Sequence, residues 1–223
     1  MKLGVLFSGG KDSTYAAWLA KKEGYELSCL ITLVSENPDS FMFHTPSVLK
    51  TKSQAASMGL PLIVKKTKGV KESELKDLEK AILDAKKRFG VEGIVTGALG
   101  SVYQASRIQK ICDKLGLECF NPLWQRDQIE LLRDLIKAKF RIVLTGVFAY
   151  PLTASWLGRE INENFIREVT HLNKKYRINP AGEGGEFETF VLDAPGLFKK
   201  PLRVKGANFT GEKNSWRMEL EVQ

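Results

Sequence analysis

The chain is poor in cysteine, and its cysteines show no spacing that indicates a metal site or a disulfide framework. Its 223 residues include two histidines and three cysteines, Cys29, Cys112 and Cys119, and no C-x-x-C pair. An odd number of cysteines without metal-ligand spacing excludes a zinc module and a small disulfide-rich secreted domain. We therefore expect the three cysteines to be packing residues.

The chain also lacks targeting, membrane-spanning and low-complexity segments. No signal peptide, no apolar run of membrane-spanning length, no internal repeat and no block of five like charges is found. These absences favour a cytoplasmic protein without a membrane partner. The 34 Lys and Arg residues exceed the 26 Asp and Glu residues, which gives a net charge of +8. This excess favours an acidic partner, either a nucleotide, an RNA or an acidic protein surface.

Strands and helices alternate along the first two thirds of the chain. Apolar runs predict strands at 3–7, 26–34, 62–65, 93–96, 117–120 and 141–147. Helical periodicity predicts helices at 12–22, 47–58, 72–89, 103–115 and 127–138. This order predicts an α/β fold, in which a doubly wound, mostly parallel, Rossmann-like sheet occupies a nucleotide-binding domain at residues 1–148.

The pattern changes after about residue 150. A helix is predicted at 160–176 and a strand at 187–192, and residues 216–222 alternate between apolar and polar side chains as in a half-exposed antiparallel strand. We expect its partner strand at 202–205, joined to it by a loop at 206–214. Residues 149–223 are therefore predicted to form a smaller C-terminal α+β domain.

A glycine-rich segment joins the first predicted strand to the first predicted helix and predicts a phosphate-binding loop. Two glycines let successive N–H groups turn inward, and the helix N-terminus adds partial positive charge. The segment matches neither the Walker A motif nor G-x-G-x-x-G. A glycine turn without a ligand is the alternative. The segment is Ser8-Gly9-Gly10-Lys11-Asp12-Ser13, in which the serine hydroxyls and the lysine would contact phosphate.

The segment after the predicted strand 93–96 is a second candidate for ligand contact, since ligands bind at the carboxyl ends of parallel strands. Gly97 and Gly100 keep the backbone close to the cleft. Tyr103, Gln104 and Arg107 recur at roughly helical spacing, so one helix face would present an aromatic ring, an amide and a guanidinium. A glycine turn followed by a solvated helix face is the alternative.

Three glutamates, Glu183, Glu186 and Glu188, lie within six residues among glycines, just before a predicted strand. Carboxylates this close repel one another unless they share a cation or one is protonated. Beside a nucleotide that cation is Mg²⁺, and a substrate cation such as ammonium is the other option. An acidic surface turn is the alternative without a ligand.

Four segments together resemble the diphthine–ammonia ligase family, in the superfamily of N-type ATP pyrophosphatases with a PP-loop. They are residues 8–13, residues 97–107, Pro122-Leu123-Trp124, and above all Gly182-Glu183-Gly184-Gly185-Glu186-Phe187-Glu188-Thr189. The resemblance covers nearly the whole chain and is to the compact archaeal form. It implies an adenine nucleotide alpha hydrolase-like fold. His44 lies in a segment that also resembles the family's loop after the second strand.

The resemblance implies a cytoplasmic ligase of diphthamide biosynthesis, which uses ATP and Mg²⁺ to amidate diphthine on translation elongation factor 2 with ammonium. An acyl-adenylate would form, and diphthamide, AMP and pyrophosphate would be the products. Gly97 and the loop from Ser8 to Ser13 would bind ATP, with Lys11 also catalytic. Asp12 would either bind Mg²⁺ or cap its helix. The substrate-binding residues would be His44, Tyr103, Gln104 and Arg107, and the catalytic glutamates Glu183, Glu186 and Glu188, as ammonium cage, general base or Mg²⁺ ligands.

Three other functions fit part of the pattern. A tRNA-modifying ATP pyrophosphatase suits the basic charge, although thiolating versions need a cysteine pair or a metal cluster that the sequence lacks. Ligation of a small-molecule acid is the second. A non-catalytic ATP-sensing module is the third. We expect no stable nucleic-acid partner, and a homodimer is one option for the assembly.

Overall fold

A computed structural model describes residues 1–35, 48–68 and 73–223 of the chain. The backbone divides into two compact units, Met1–Trp124 and Gln125–Gln223. No helix of the described residues is both long and apolar enough to cross a membrane.

The first unit is a parallel α/β sheet, as predicted. Five strands pair in the order β3-β2-β1-β4-β5, and every pairing between neighbours is parallel. The elements follow one another as β1 (Lys2–Leu6), α1 (Lys11–Lys22), β2 (Glu26–Ser35), α2 (Val48–Met58), β3 (Leu62–Thr67), α3 (Ser73–Phe89), β4 (Gly93–Val95), α4 (Val102–Leu115) and β5 (Glu118–Phe120). The strand order reverses at β1, whose neighbours are β2 and β4. The carboxyl ends of β1 and β4 therefore meet at the position where open α/β sheets bind ligands.

Helices α3 and α4 bury an apolar stripe against one face of this sheet. The periodicity of α3 places Leu78, Ile82 and Ala85 on one side of the helix, and all three are buried. Ile108 and Cys112 of α4 belong to the same cluster, together with strand residues from β2, β3 and β4. The core therefore fixes the starts of both helices relative to the carboxyl ends of the strands.

The second unit contains an antiparallel sheet of four strands in the order β7-β6-β9-β8. Its elements are α5 (Gln128–Lys137), β6 (Arg141–Val147), a short 3₁₀ helix (Ala154–Trp156), α6 (Glu163–Tyr176), β7 (Phe187–Asp193), β8 (Val204–Glu212) and β9 (Ser215–Val222). Asn162 caps α6 by accepting a hydrogen bond from Phe165 N at 3.0 Å, so this helix begins three residues later than the predicted 160.

The structure corrects the position of β6. The sequence places this strand in the parallel sheet of residues 1–148, whereas it pairs antiparallel with β7 and β9 in the second unit. The chain divides at 124/125 rather than at the expected 148/149 for this reason. Strand β8 is also longer than predicted. It covers most of the expected 206–214 loop, because an exposed edge strand tolerates glycines and polar residues.

Candidate functional site

A buried side chain from α2 forms a hydrogen bond to the loop after β1. Gly9 adopts a left-handed φ of +81°, and its carbonyl accepts a hydrogen bond from Gln54 Nε2 at 2.9 Å. Gln54 is fully buried, and a Cβ atom on Gly9 would lie 2.4 Å from Gln54 Oε1. Only glycine therefore fits this position in both conformation and space.

The first turn of α1 presents N–H groups without a side-chain cap. Gly10 is the N-cap residue and provides no side-chain hydrogen bond, so the first N–H groups of the helix suit an anion. The two serines of the loop contact one another, with Ser8 Oγ 3.1 Å from Ser13 Oγ. Ser13 Oγ also accepts from Ser8 N at 3.2 Å. The free N–H groups of the helix start and the two hydroxyls are the kind of donors that a phosphate group requires.

Lys11 and Asp12 form an ion pair at the start of α1. Lys11 Nζ lies 2.8 Å from Asp12 Oδ2, and the lysine is only 4% exposed. Among the described residues, no group forms a hydrogen bond to the buried Asp12 Oδ1. The N-cap of α1 is Gly10 and not Asp12, so the structure does not use Asp12 as the cap. A buried carboxylate oxygen without a partner beside an anion loop fits a Mg²⁺ ligand.

The loop after β4 approaches the same helix end. A Cβ atom on Gly97 would lie 2.7 Å from Asp12 C and Ser13 N, so the absence of a side chain lets this backbone reach α1. Ser101 caps α4 and accepts from Gln104 N at 3.3 Å.

The predicted aromatic and guanidinium groups of α4 lie together. Arg107 Cζ is 3.5 Å from the centroid of the Tyr103 ring. Such a stacked pair combines a positive charge with a planar apolar surface. His44 lies outside the described residues.

In the second unit, Glu186 organises the glutamate loop. Its Oε1 accepts from Asn179 N at 2.8 Å and Asn179 Nδ2 at 2.7 Å, and its Oε2 accepts from Gly184 N at 2.8 Å. Glu186 is 8% exposed. Gly182 and Gly185 have positive φ values of +75° and +80°, which lets the chain turn twice around this carboxylate. Glu186 thus holds the loop in shape.

Glu183 and Glu188 are each half-buried on either side of that anchor. Glu183 lies within the loop, between two glycines. Glu188 lies on β7 opposite Gly146 of β6, and its Oε2 is 3.3 Å from the position that a Cβ on Gly146 would take. The Phe148 ring fills the rest of the space above Gly146. Both carboxylates are therefore partly accessible to solvent, whereas Glu186 is buried.

The described residues contain no group of three or more His, Cys, Asp or Glu side chains that could hold a metal ion. The glutamate loop therefore does not have the form of a three-carboxylate Mg²⁺ site.

Two residues that hold the loops, Gln54 and Gln128, are absent from the sequence prediction. A separate aromatic pair, Tyr150 and Tyr176, was not predicted either, and its rings meet edge to face at 5.4 Å. Tyr150 is 64% exposed and follows β6 by three residues. The sequence does not predict that a glutamine at the start of a helix will form hydrogen bonds to a distant loop, because glutamine is also common on solvent-exposed helix surfaces.

The parallel sheet, with an uncapped helix start after its central strand β1, defines an open-sheet α/β protein. Residues 1–119 match the family model of the diphthamide synthase N-terminal domain, and residues 127–221 match that of the diphthamide synthase C-terminal domain. The chain belongs to the diphthamide synthase family, as the sequence motifs predict.

Relatives of known name agree with this assignment. The chain is similar to the diphthine–ammonia ligase of Mus musculus, with 33% identity over 92% of this chain and 83% of the mouse protein. It is 36% identical to the Schizosaccharomyces pombe ligase over 91% of this chain and 36% of that protein. Among solved structures, one described as a predicted subunit of tRNA methyltransferase from Methanocaldococcus jannaschii matches 87% of this chain and 98% of its own. Its identity is 19% and its TM-score is 0.45.

Proposed function

We propose that the protein is an ATP-dependent ligase that amidates the diphthine carboxyl group of translation elongation factor 2 with ammonium. The products are diphthamide, AMP and pyrophosphate. The observation that carries this proposal is the family match in both units, at residues 1–119 and 127–221. The name of the curated relatives supports the reaction class.

The chemistry begins with activation of the carboxylate, which is a poor electrophile. One carboxylate oxygen attacks the α-phosphorus of ATP, the bond to the β-phosphate oxygen breaks, and pyrophosphate leaves. The acyl-adenylate that forms carries AMP as a good leaving group. The N–H groups at the start of α1 and the hydroxyls of Ser8 and Ser13 suit the departing pyrophosphate.

Lys11 and Asp12 have complementary roles in this step. The ammonium of Lys11 offsets negative charge that builds up as the bond to the pyrophosphate breaks. Asp12 would hold Mg²⁺ through the oxygen that has no protein partner, and the ion would neutralise phosphate charge. Gly97 lets the backbone after β4 reach the same helix end.

The second step needs ammonia, which is mostly ammonium near neutral pH. Glu183 and Glu188 attract the cation, and one of them accepts a proton, so that neutral ammonia attacks the acyl carbon. The bond from that carbon to the AMP oxygen then breaks, and AMP leaves. Glu186 contributes by holding the loop, since its oxygens accept three N–H groups of that loop.

Tyr103, Gln104 and Arg107 bind the acyl substrate or the nucleotide. The Arg107 guanidinium stacked on Tyr103 offers a fixed positive charge for a carboxylate or a phosphate. His44 is proposed to contact nucleotide or substrate.

Product analysis tests the reaction and the acceptor together. The purified chain is mixed with ATP, Mg²⁺, ammonium and elongation factor 2 that bears diphthine. We expect AMP and pyrophosphate only when the factor is present, together with conversion of the carboxyl group to an amide. AMP and pyrophosphate formed instead with tRNA or a small acid would contradict the acceptor assignment. ADP, or no turnover with any acceptor, would contradict the ligase itself.

Matched glutamate variants separate the two steps. Glu183→Gln and Glu188→Gln are expected to lower amide formation at least about tenfold while leaving the affinity for ATP unchanged. Glu219→Gln changes the charge equally at an exposed position of β9 and is expected to have no effect. Loss of ATP binding in the first two variants would contradict their assignment to the ammonium step.

A further inference from the structure

We infer that Gln128, in the first turn of α5, is a positioning residue that fixes the shape of the glutamate loop. The oxygen and the nitrogen of its side-chain amide both form hydrogen bonds to that loop, with partners 51 and 53 residues further along the chain. Gln128 Oε1 accepts a hydrogen bond from Ala181 N at 2.9 Å, and Nε2 donates to Asn179 Oδ1 at 3.3 Å. The catalytic part of this inference rests on the proposed function.

The contacts continue from Gln128 to Glu186. Asn179 accepts from Gln128 through Oδ1 and donates from Nδ2 to Glu186 Oε1 at 2.7 Å. Glu186 in turn accepts from Gly184 N. One amide on α5 is therefore connected to the start, the middle and the end of the loop that carries Glu183.

The position of Gln128 is itself fixed by its helix. Asp127 is the N-cap of α5, and its Oδ1 accepts from Ile129 N and Glu130 N, both at 2.9 Å. A capped first turn restricts the backbone from which the glutamine extends. Glutamine provides an acceptor and a donor on one planar group, which no carboxylate or aliphatic side chain does.

Ala181 is the part of the loop that depends most on Gln128. This residue is 1% exposed, so its N–H group cannot exchange the amide oxygen for water while the loop keeps its shape. A buried donor without an acceptor favours any conformation that exposes it. Removing the Gln128 oxygen should therefore open the loop and displace Glu183 relative to Glu188.

Three variants of the full-length chain test this. Gln128→Met has a similar volume and removes both hydrogen bonds, whereas Gln128→Glu keeps an acceptor for Ala181 N and removes the donor to Asn179. Gln109→Met is the matched control, because Gln109 makes an exposed contact to Asp113 within α4. Amide hydrogen exchange at Ala181 and Gly184 reports the loop. Initial rates against ammonium and against ATP report the reaction.

In Gln128→Met we expect exchange at both amides to be about tenfold faster. The apparent KM for ammonium should rise while the KM for ATP stays unchanged. Gln128→Glu should restore slow exchange at Ala181 and part of the ammonium dependence. Exchange and rates in Gln109→Met should equal those of the wild type.

Unchanged exchange at Ala181 and Gly184 in a folded Gln128→Met variant would overturn the inference. So would equal rises in the KM for ammonium and ATP. If Gln128→Met does not fold, the exchange rate of the Gly184 amide in Gln128→Glu tests the inference instead. That rate should still rise, since the variant lacks the donor to Asn179, and an unchanged rate would overturn the inference. Absence of turnover in the wild type would overturn the proposed function alone, and the exchange measurement would still test the role of Gln128.

Discussion

A single buried amide in α2 determines how the anion loop is held. Gln54 donates to the Gly9 carbonyl, and this bond fixes the orientation of that carbonyl. The neighbouring N–H groups can then face a phosphate, as the uncapped start of α1 requires. We therefore expect the affinity of the loop for a nucleotide to depend on a residue that does not contact the ligand.

Gln54→Met should weaken ATP binding about tenfold, because one buried carbonyl loses its donor and the loop loses its fixed orientation. Isothermal titration calorimetry with a non-hydrolysable ATP analogue measures the change. Gln109→Met is a suitable control on the exposed side of α4. An unchanged Kd in a folded Gln54→Met variant would show that the loop keeps its shape without this contact.

The three free cysteines lie in different environments: Cys29 and Cys112 are buried, and Cys119 is half-buried. Burial raises the pKa of the Cys29 thiol to about 12. The hydrogen bond between Cys112 and Cys119 raises the pKa of Cys112 and lowers that of Cys119. Cys112 therefore remains a protonated donor, and Cys119, which is half-buried, is the thiol that ionises first.

Iodoacetamide at neutral pH should modify Cys119 before Cys29 and Cys112, which should react only in denaturant. The rate of Cys119 modification follows the fraction of thiolate, so it rises with pH. It should reach half its maximum at a pH below 9.0, the ordinary pKa of a thiol. Cys112→Ala removes the donor and should move the profile to higher pH. Peptide mass spectrometry gives the order and the rates, and equal labelling of all three cysteines in the folded protein would contradict this account.

Residues of the site were predicted where chemistry is local in the sequence. The loop from Ser8 to Ser13 has its glycines, serines and lysine side by side, so a phosphate-binding role can be predicted from the sequence without a fold. The anchoring role of Glu186 was not predicted, because its partners depend on how the loop closes and on Gln128, which is far away in the sequence. The catalytic roles of the glutamates stay predictions.

At the scale of elements, Gly97 lets two segments of the first unit approach each other closely. The backbone after β4 touches the first turn of α1, and a methyl group there would lie 2.7 Å from backbone atoms of Asp12 and Ser13. Backbone atoms cannot rotate away as a flexible side chain can. The loop after β4 and the start of α1 therefore keep a fixed spacing only when residue 97 is glycine.

Gly97→Ala should destabilise the chain by about 1–3 kcal/mol through overpacking and should also weaken ATP binding by displacing the start of α1. Urea denaturation followed by circular dichroism gives the free energy of unfolding, and calorimetry gives the affinity. Gly100→Ala is the control, because a Cβ atom there meets no heavy atom within 4 Å. Equal effects of the two substitutions would show that the close approach is unimportant.

The elements of the first unit were predicted well because alternating strands and helices leave a strong periodic signal. β6 was assigned to the wrong sheet because the sequence of a buried apolar strand does not show whether its neighbours are parallel or antiparallel. Its sheet is determined by its pairing with β7 and β9. β8 was missed for the opposite reason. Its sequence carries glycines and polar residues that resemble a loop.

For the whole molecule, the strand assignment determines where the chain can be divided. Residues 1–124 contain all five strands of the parallel sheet. Residues 1–148 would add β6 without either of its partners and leave its apolar residues Ile142, Leu144 and Val147 uncovered.

A fragment of residues 1–148 should aggregate more than a fragment of residues 1–124 at equal concentration, since it carries an unpaired apolar strand. Light scattering during refolding gives the comparison, and circular dichroism reports helix content. If the longer fragment were the more soluble one, the boundary expected from the sequence at 148/149 would be favoured.

The bond from Gln54 to Gly9 has a further consequence for protein engineering. A designer who copies the six residues from Ser8 to Ser13 into another strand–helix turn transfers the glycines and the charge but leaves behind the buried amide that donates to the Gly9 carbonyl. Such a graft should bind triphosphates weakly until a buried donor is added from a second helix. The transferable unit is therefore the loop together with one residue 45 positions downstream.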